Sequence, residues 1–389
     1  MKNKISLFLI VVLSLALAAC GSSSKKTDFF GEDEKAKRPK VSTTTKLSRN
    51  WRIKLGKSFS RNDAQLKPAV SGDNVYSASI NGKVYKISLE SCKRIWDVKF
   101  KKTSITGGVS AGEGLVLAGT NQGRLLALKQ EDGSVAWEAK LATAILSSPV
   151  IENDIVIART IDEKVYGVSA FDGEILWTIS RSSPSLTLRG ESQPLLIQGI
   201  AFVGFSDGTL AALDAKTGRA LWDFPISFPR GTNELENLSD VDTTPLLVGG
   251  SIYVSSTQDI THALDIQKQN LTWSEEVSST HALAFDTAYL YVSDREGVIH
   301  QLDRSSGEKV WSQEGLRLFS TSAPISAGSF VVVGDGDGNL YVLNKSDGSF
   351  AGRHSLGAKS IVGDPLVDSE SIIFVDSSGS LQSLRITAK

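Results

Sequence analysis

The stretch GIAFVGFSDGTLAALDAKTGRALW (residues 199–222) decides how the chain is read. It holds two short apolar runs joined by an Asp-Gly hairpin signal, then a tight turn with Gly218, then Trp222 four residues after that glycine. Near-copies recur at Trp96, Trp137, Trp177, Trp222, Trp273 and Trp311, with spacings of 41, 40, 45, 51 and 38 residues. A period of about 40 residues is the mark of a repeat architecture. Runs such as IVIAR, IYVSS and FVVVG are β-branched and bounded by Gly, Asn and Asp, so the repeats are made of strands.

A second series counts the units. Pro68, Pro149, Pro194, Pro245, Pro324 and Pro365 each open a first strand, with Gly108 and Leu283 filling the two gaps, which makes eight. The first six units carry their own tryptophan, the seventh has Gly352 there, and the eighth ends at Ile386 without a last strand. Conversely, NWRIKL (residues 50–55) matches the Trp strand but has no unit in front of it. Pairing that strand onto the last unit would close a circle and leave no orphan sheet edge. The expected fold is therefore all-β: an eight-bladed β-propeller of four-stranded antiparallel blades over residues 49–389. Its ring is closed by an N-terminal strand completing the C-terminal blade, and its tryptophans serve blade-to-blade packing.

Residues 1–19 read as a secretory leader, with Lys2 and Lys4, an apolar run from Ile5 to Ala18, and small residues before Cys20. The apolar run is shorter than the roughly 20 residues a membrane-spanning helix needs. Leu17-Ala18-Ala19-Cys20 resembles the bacterial lipobox, which implies a diacylated Cys20 as the new N-terminus. In such lipoproteins an Asp after the Cys favours the inner membrane. Gly21 and Ser22 stand here instead and imply the periplasmic face of the outer membrane. Residues 21–48 are rich in Ser, Lys, Glu and Thr and read as a flexible tether, with a reach of roughly 30 Å.

The formal charge is −1, and loss of the leader lysines brings it to −3. No basic surplus advertises nucleic-acid binding. Cys20 and Cys92 are the two cysteines, too few for a disulfide framework. Cys92 is read as a tolerated replacement of a polar turn residue.

Several motifs resemble catalytic or metal sites and fail on context. Residues 108–112, GVSAG, match the nucleophile elbow, yet repeat register puts Ser110 on a first strand rather than a strand-to-helix turn. Gly56-Lys57-Ser58 ends like a phosphate loop but has Trp51 where glycine is required. Asp335, Asp337 and Asn339 have calcium-loop spacing, but Leu340 occupies the glycine position, and the segment aligns with the Asp207-Gly208 and Asn81-Gly82 hairpins. His262 and His300 take the repeat position of Tyr85 and Tyr166, while His281 and His354 have no partner at ligand spacing. No catalytic residue, metal or cofactor is expected.

In repeat proteins, function gathers where units depart from consensus, often in loops of one face. The gap from Trp177 to Pro194 is 17 residues and from Trp222 to Pro245 is 23, against an ordinary gap of 10 to 13. These enlarged loops follow consecutive units at the same point of the blade and should be neighbours. The first carries Leu186, Leu188 and Arg189, and the second Asp240 and Asp242. Leu186 and Leu188 share one side of any extended segment. With the arginine and two carboxylates they form either an exposed contact patch or an internal one, with Arg189 paired to Asp240 or Asp242.

The Trp-ending repeat resembles the quinoprotein (PQQ-like) propeller unit more than WD40, since no Gly-His dipeptide occurs. A quinone-dependent dehydrogenase of that class carries vicinal cysteines, which are missing here. A quinoprotein-like or sugar-binding propeller using its central channel is the alternative reading, and a surface adhesin a third. The chain as a whole resembles the BamB family of outer-membrane assembly lipoproteins. The resemblance covers the lipobox, the tether, eight repeats and both long loops, and SLTLRGES (residues 185–192) and LSDVDTTP (residues 238–245) carry it most specifically. It implies a non-enzymatic scaffold that binds the POTRA domains of BamA, and through BamA the Bam complex, with unfolded outer-membrane proteins as further clients. It also implies that Leu186, Leu188, Arg189, Asp240 and Asp242 make the contact.

Overall fold

The computed structural model describes residues 38–41, 43–59, 64–181, 192–227, 240–241, 243–256, 260–357 and 359–389. These residues form eight four-stranded antiparallel sheets arranged as an eight-bladed propeller. Blades 1 to 7 span residues 69–99, 105–140, 150–180, 195–225, 246–275, 284–313 and 325–355. Blade 8 takes three strands from the C-terminus, Ile361–Asp368, Ser371–Asp376 and Ser380–Ala388, and its outermost from the N-terminus, Thr45–Lys54. The strands are called a to d from the axis outward, and in blades 1 to 7 they lie in chain order, whereas strand d of blade 8 is the N-terminal one. Antiparallel order then puts every b–c hairpin and every d–a loop on one face, and the a–b and c–d turns on the other.

The sequence pattern builds these sheets directly. Strands b and c are continuous apolar runs because both of their faces are covered, one by each neighbouring blade. Val75, Val84, Val116, Leu126, Val156, Val165, Ile252 and Leu290 are wholly buried. The core is accordingly a ring of layers between blades, such as the one joining Ile157 and Val165 of blade 3 to Val203, Phe205 and Leu213 of blade 4.

Each d-strand tryptophan reaches across such a seam. In five of them the indole Nε1 donates to a turn carbonyl of the next blade: Trp96 to Gln130, Trp137 to Ala170, Trp177 to Ala215, Trp273 to Arg304 and Trp311 to Lys345, at 2.7–3.1 Å. The ring face lies on the glycine of that turn. A Cβ added at Gly173 would stand 2.7 Å from Trp137, and one at Gly348 would stand 2.7 Å from Trp311. A bulge just before each tryptophan, as between Ala212 and Leu213 opposite Trp222, turns the indole toward the seam.

Ring closure explains the two irregular units. Thr45–Lys54 pairs along its length with Ser380–Ala388, with the same bulge at Asn50, so Trp51 takes the tryptophan position of blade 8. It packs into the layer shared with blade 1. Gly352 stands where blade 7 should have its tryptophan because the closing strand begins there. A Cβ at Gly352 would fall 2.6 Å from Thr45 Oγ1, and both Thr44 N and Thr45 Oγ1 donate to Ala351 O.

Two expectations change. The paired chain begins at Thr45, four residues inside the segment assigned to the tether, because Thr45 and Leu47 are buried and Leu47 fills the seam between blades 7 and 8. Even before the strand, Arg38 bonds Asp337 at 2.7 Å and Val41 packs on the layer between blades 6 and 7. Cys92 replaces a glycine rather than a polar residue. It holds φ +56 where Gly133, Gly173, Gly218, Gly307 and Gly348 hold φ between +71 and +81. Burial pushes its thiol pKa up, which disfavours the reactive thiolate.

Other residues behave as the repeat register implied. Ser110 lies on the a strand of blade 2, opposite Leu117. His262 Nε2 meets Ile226 O at 2.8 Å, closing the seam as Tyr85 does with Leu55 O. His300 sits at the same register, between Ser312 and Asp294. Asp335 accepts from Asn339 N, Asn339 Nδ2 and Tyr341 OH, so its carboxylate is consumed within its own hairpin.

Candidate functional site

Both enlarged loops leave the same face. The first joins strand d of blade 3 (Ile175–Ser180) to strand a of blade 4 (Leu195–Ile197). The second joins strand d of blade 4 (Ala220–Pro225) to strand a of blade 5 (Leu246–Val248). Leu186, Leu188, Arg189 and Asp242 lie outside the described residues, and so does Cys20. The loop roots are described, and they meet. Ser192 Oγ donates to Thr243 O at 3.1 Å, and Gln193 N to Thr244 Oγ1 at 3.4 Å. The expectation that the loops are neighbours therefore holds at their inner ends.

The second loop returns to the ring by inserting Val241 into the layer between blades 4 and 5. Val241 N donates to Phe205 O at 3.2 Å, and Thr243 Oγ1 both accepts from Ser255 N and donates to Ser255 O. This seating takes Asp240 with it. Asp240 is wholly buried, so its carboxylate does not face solvent as a partner-contacting residue must.

At the other root, Arg181 is the last described residue before the first loop. Its guanidinium bonds Thr209 Oγ1 and Asp223 of blade 4 and lies 4.5 Å from the Phe205 ring centroid. Beside it, the blade 3 hairpin holds a buried ion pair, Arg159 with Glu163, at 2.8 Å. Sequence reasoning passed over this cluster, although one signal was available. The position four after each tryptophan is apolar and buried at Phe100, Leu141, Ile226 and Val277, and at blade 3 it is Arg181. In the same hairpin, burial alone would raise the Asp162 carboxyl, but hydrogen bonds from Lys164 and Thr160 hold it below its usual value.

The axis opens on this face as well. Gln65, Lys67, Ser147, Ser148, Gln193 and Thr244 converge there around a cavity of ≈ 40 Å³. Lys67 Nζ crosses it to Gln193 Oε1 at 3.1 Å and to Asp364 at 3.9 Å. The space suits about three waters and falls well short of the roughly 300 Å³ of small-molecule sites. Among the described residues the lining carries one lysine, Lys67, and it is already faced by a carboxylate, so this lining does not fit a tricarboxylate quinone.

Comparisons with known proteins agree with this geometry. The family model described as outer membrane protein assembly factor BamB matches residues 81–313 and 296–388. A relative from Xanthomonas campestris pv. campestris, outer membrane protein assembly factor BamB, is 33% identical over 394 residues, covering 97% of each chain. The crystal structure of BamB from Moraxella catarrhalis superposes with a TM-score of 0.80 at 25% identity, over 87% of this chain and 99% of that one. The quinohemoprotein alcohol dehydrogenase from Comamonas testosteroni shares the fold alone, with a TM-score of 0.67 at 14% identity over 87% of this chain and 76% of that one. With its repeats, its closure by both ends and its paired long loops all on one ring, this chain belongs to the BamB family of outer membrane protein assembly factors.

Proposed function

We propose that the protein is a non-enzymatic, lipid-anchored scaffold of the machinery that inserts β-barrels into the outer membrane, and that it docks the POTRA domains of BamA on its two-loop face. The observation that carries this reading is the convergence of the two enlarged loops, whose inner ends are bonded through Ser192 and Thr243. Leu186, Leu188, Arg189 and Asp242 supply the contact, arginine being among the residue types that dominate binding hot spots. Asp240 acts from inside by fixing the returning end of the second loop. Cys20 carries the lipid and holds the propeller at the periplasmic face of the outer membrane. Unfolded barrel strands are further clients, adding to the open edges of d strands by β-augmentation.

The test is binding of purified propeller to immobilised BamA POTRA domains. Arg189→Glu and Leu188→Asp should each weaken binding by about 2 kcal/mol or more, some thirtyfold, while leaving thermal unfolding in place. Parent-like affinity in both variants would remove the docking site from these loops. Separately, Cys20→Ala should release the protein from outer-membrane vesicles into the soluble periplasmic fraction.

A further inference from the structure

Three registered positions set blade 3 apart from its siblings. Near the end of strand b six of the other blades carry small residues, such as Ala78, Gly119, Gly204 and Gly334, blade 8 has Val375, and blade 3 has Arg159. In the b–c hairpin six blades use a left-handed glycine (Gly82, Gly123, Gly208, Gly297, Gly338 and Gly379, φ +72 to +88), and blade 3 has Glu163 at φ +59. At the exit of strand d most blades bury an apolar side chain, and blade 3 has Arg181.

The hairpin glycines are required where a short d–a loop crosses them. A Cβ at Gly82 would meet Thr103 O at 2.4 Å, and one at Gly123 would meet Thr143 O at 2.5 Å. In blade 3 the corresponding stretch belongs to the enlarged loop, residues 182–191, and a glutamate occupies the place. A glutamate there stands against the left-handed strain that glycine avoids, so something local must favour it.

Its carboxylate is what the site uses. It accepts from Arg159 Nη2 at 2.8 and 3.0 Å, and it crosses the seam to Ser206 of blade 4, accepting from N at 3.2 Å and Oγ at 3.0 Å. Arg159 and Arg181 both lie against Phe205 of blade 4. The main chain ties both loop departures to the same two hairpins: Arg181 N donates to Glu163 O, and Ile226 N and Ser227 N donate to Gly208 O. The first loop thus leaves from the hairpin of Glu163, and the second from the hairpin that Glu163 grips.

We propose that Arg159, Glu163 and Arg181 form a positioning latch across the seam of blades 3 and 4. It fixes the separation of the two loop roots and so sets the geometry of the partner-binding face. The inference rests on the docking reading above. Low stability is not what the latch corrects, since among the described residues six other blades carry small or apolar residues at all three positions. Arg159 even keeps Nε and Nη1 without a hydrogen-bond partner among the described residues, a poor arrangement if holding the seam shut were its whole purpose.

The experiment rebuilds blade 3 on the sibling pattern with the triple variant Arg159→Ser, Glu163→Gly, Arg181→Leu. Those residue types serve in neighbouring blades, so thermal unfolding should stay at or above that of the parent. Affinity for the BamA POTRA domains should fall tenfold or more, and amide exchange should rise in residues 182–191 and 228–239 and nowhere else. If the triple variant does not fold, Glu163→Gln gives the same comparison by removing the charge while keeping the shape. Parent-like affinity and exchange, with Arg189→Glu still impaired, overturns the latch and leaves the docking reading standing. Parent-like binding by Arg189→Glu as well overturns both.

Discussion

Replacing Leu47 by alanine tests whether the N-terminal strand is structural up to Thr45. Leu47 is 2% exposed and packs with Leu384, Ile372, Phe374 and Ile361 in the layer between blades 7 and 8. The substitution removes three buried carbons, about 2.4 kcal/mol of transfer free energy at about 0.8 per methylene. Incomplete collapse around the hole adds to this, giving about 3 kcal/mol within a usual range of roughly 2–5. Lys46 is exposed on the same strand and supplies the control. Equilibrium urea unfolding followed by tryptophan fluorescence should show a clear fall in midpoint for Leu47→Ala and almost none for Lys46→Ala. Equal, small shifts in both would mean that the strand starts beyond Leu47, and its start at Thr45 would have to be withdrawn.

Three further outcomes follow from seams and turns. Gly173→Ala and Gly114→Ala face similar left-handed φ, +80 and +77, but only the first would press a Cβ onto Trp137, since nothing lies within 4 Å of the second. Chemical denaturation should find Gly173→Ala the worse by about 1–3 kcal/mol, and equal losses would deny the indole its packing role. Cys92→Gly should stabilise by about 0.5–1 kcal/mol, since the residue already holds a glycine conformation; a loss of stability would contradict this. At Asp286 burial would raise the carboxyl, but Lys345, Tyr291 and the Tyr289 and Ala288 amides outweigh it and hold the pKa down at about 2. Because the folded pKa is depressed, its contribution of about 2 kcal/mol is present above pH 4 and lost as pH falls from about 4 to 2. Asp286→Asn should flatten acid unfolding in that window, and an unchanged profile would show that the pair with Lys345 adds nothing.

The repeat was legible because tryptophan and turn glycine recur in a fixed relation and each does one physical job, an indole laid on a bare backbone. Closure was legible because NWRIKL had no preceding unit and the last unit had no final strand. The extent of the closing strand was not. Leu47 is a single apolar residue among Ser, Thr, Lys and Arg, and composition averaged over the segment hides it. Asp240 was placed on the correct loop, but its burial depends on Val241 finding the seam between blades 4 and 5, a contact of tertiary structure. The charged cluster of blade 3 was missed for another reason. Loop length points past it, since the tell-tale residues stand just before the loop, at the position four after Trp177 and in the hairpin beneath it.

The joining of the two ends has a consequence for how the ring comes into being. Partners in blade 8 such as Asn50 and Ser383 lie 333 positions apart, so residues 45–54 emerge first and stay single until the last of the polypeptide arrives. Bringing such distant segments together costs about 3 kcal/mol more chain entropy than closing a ten-residue loop. Until then two raw flanks of β-structure stand open to any passing extended polypeptide. A circular permutant that joins Ala388 to Thr45 by a short turn and opens the chain at another bend would turn the seal into a local hairpin. It should mature faster and aggregate less, with the same final ring.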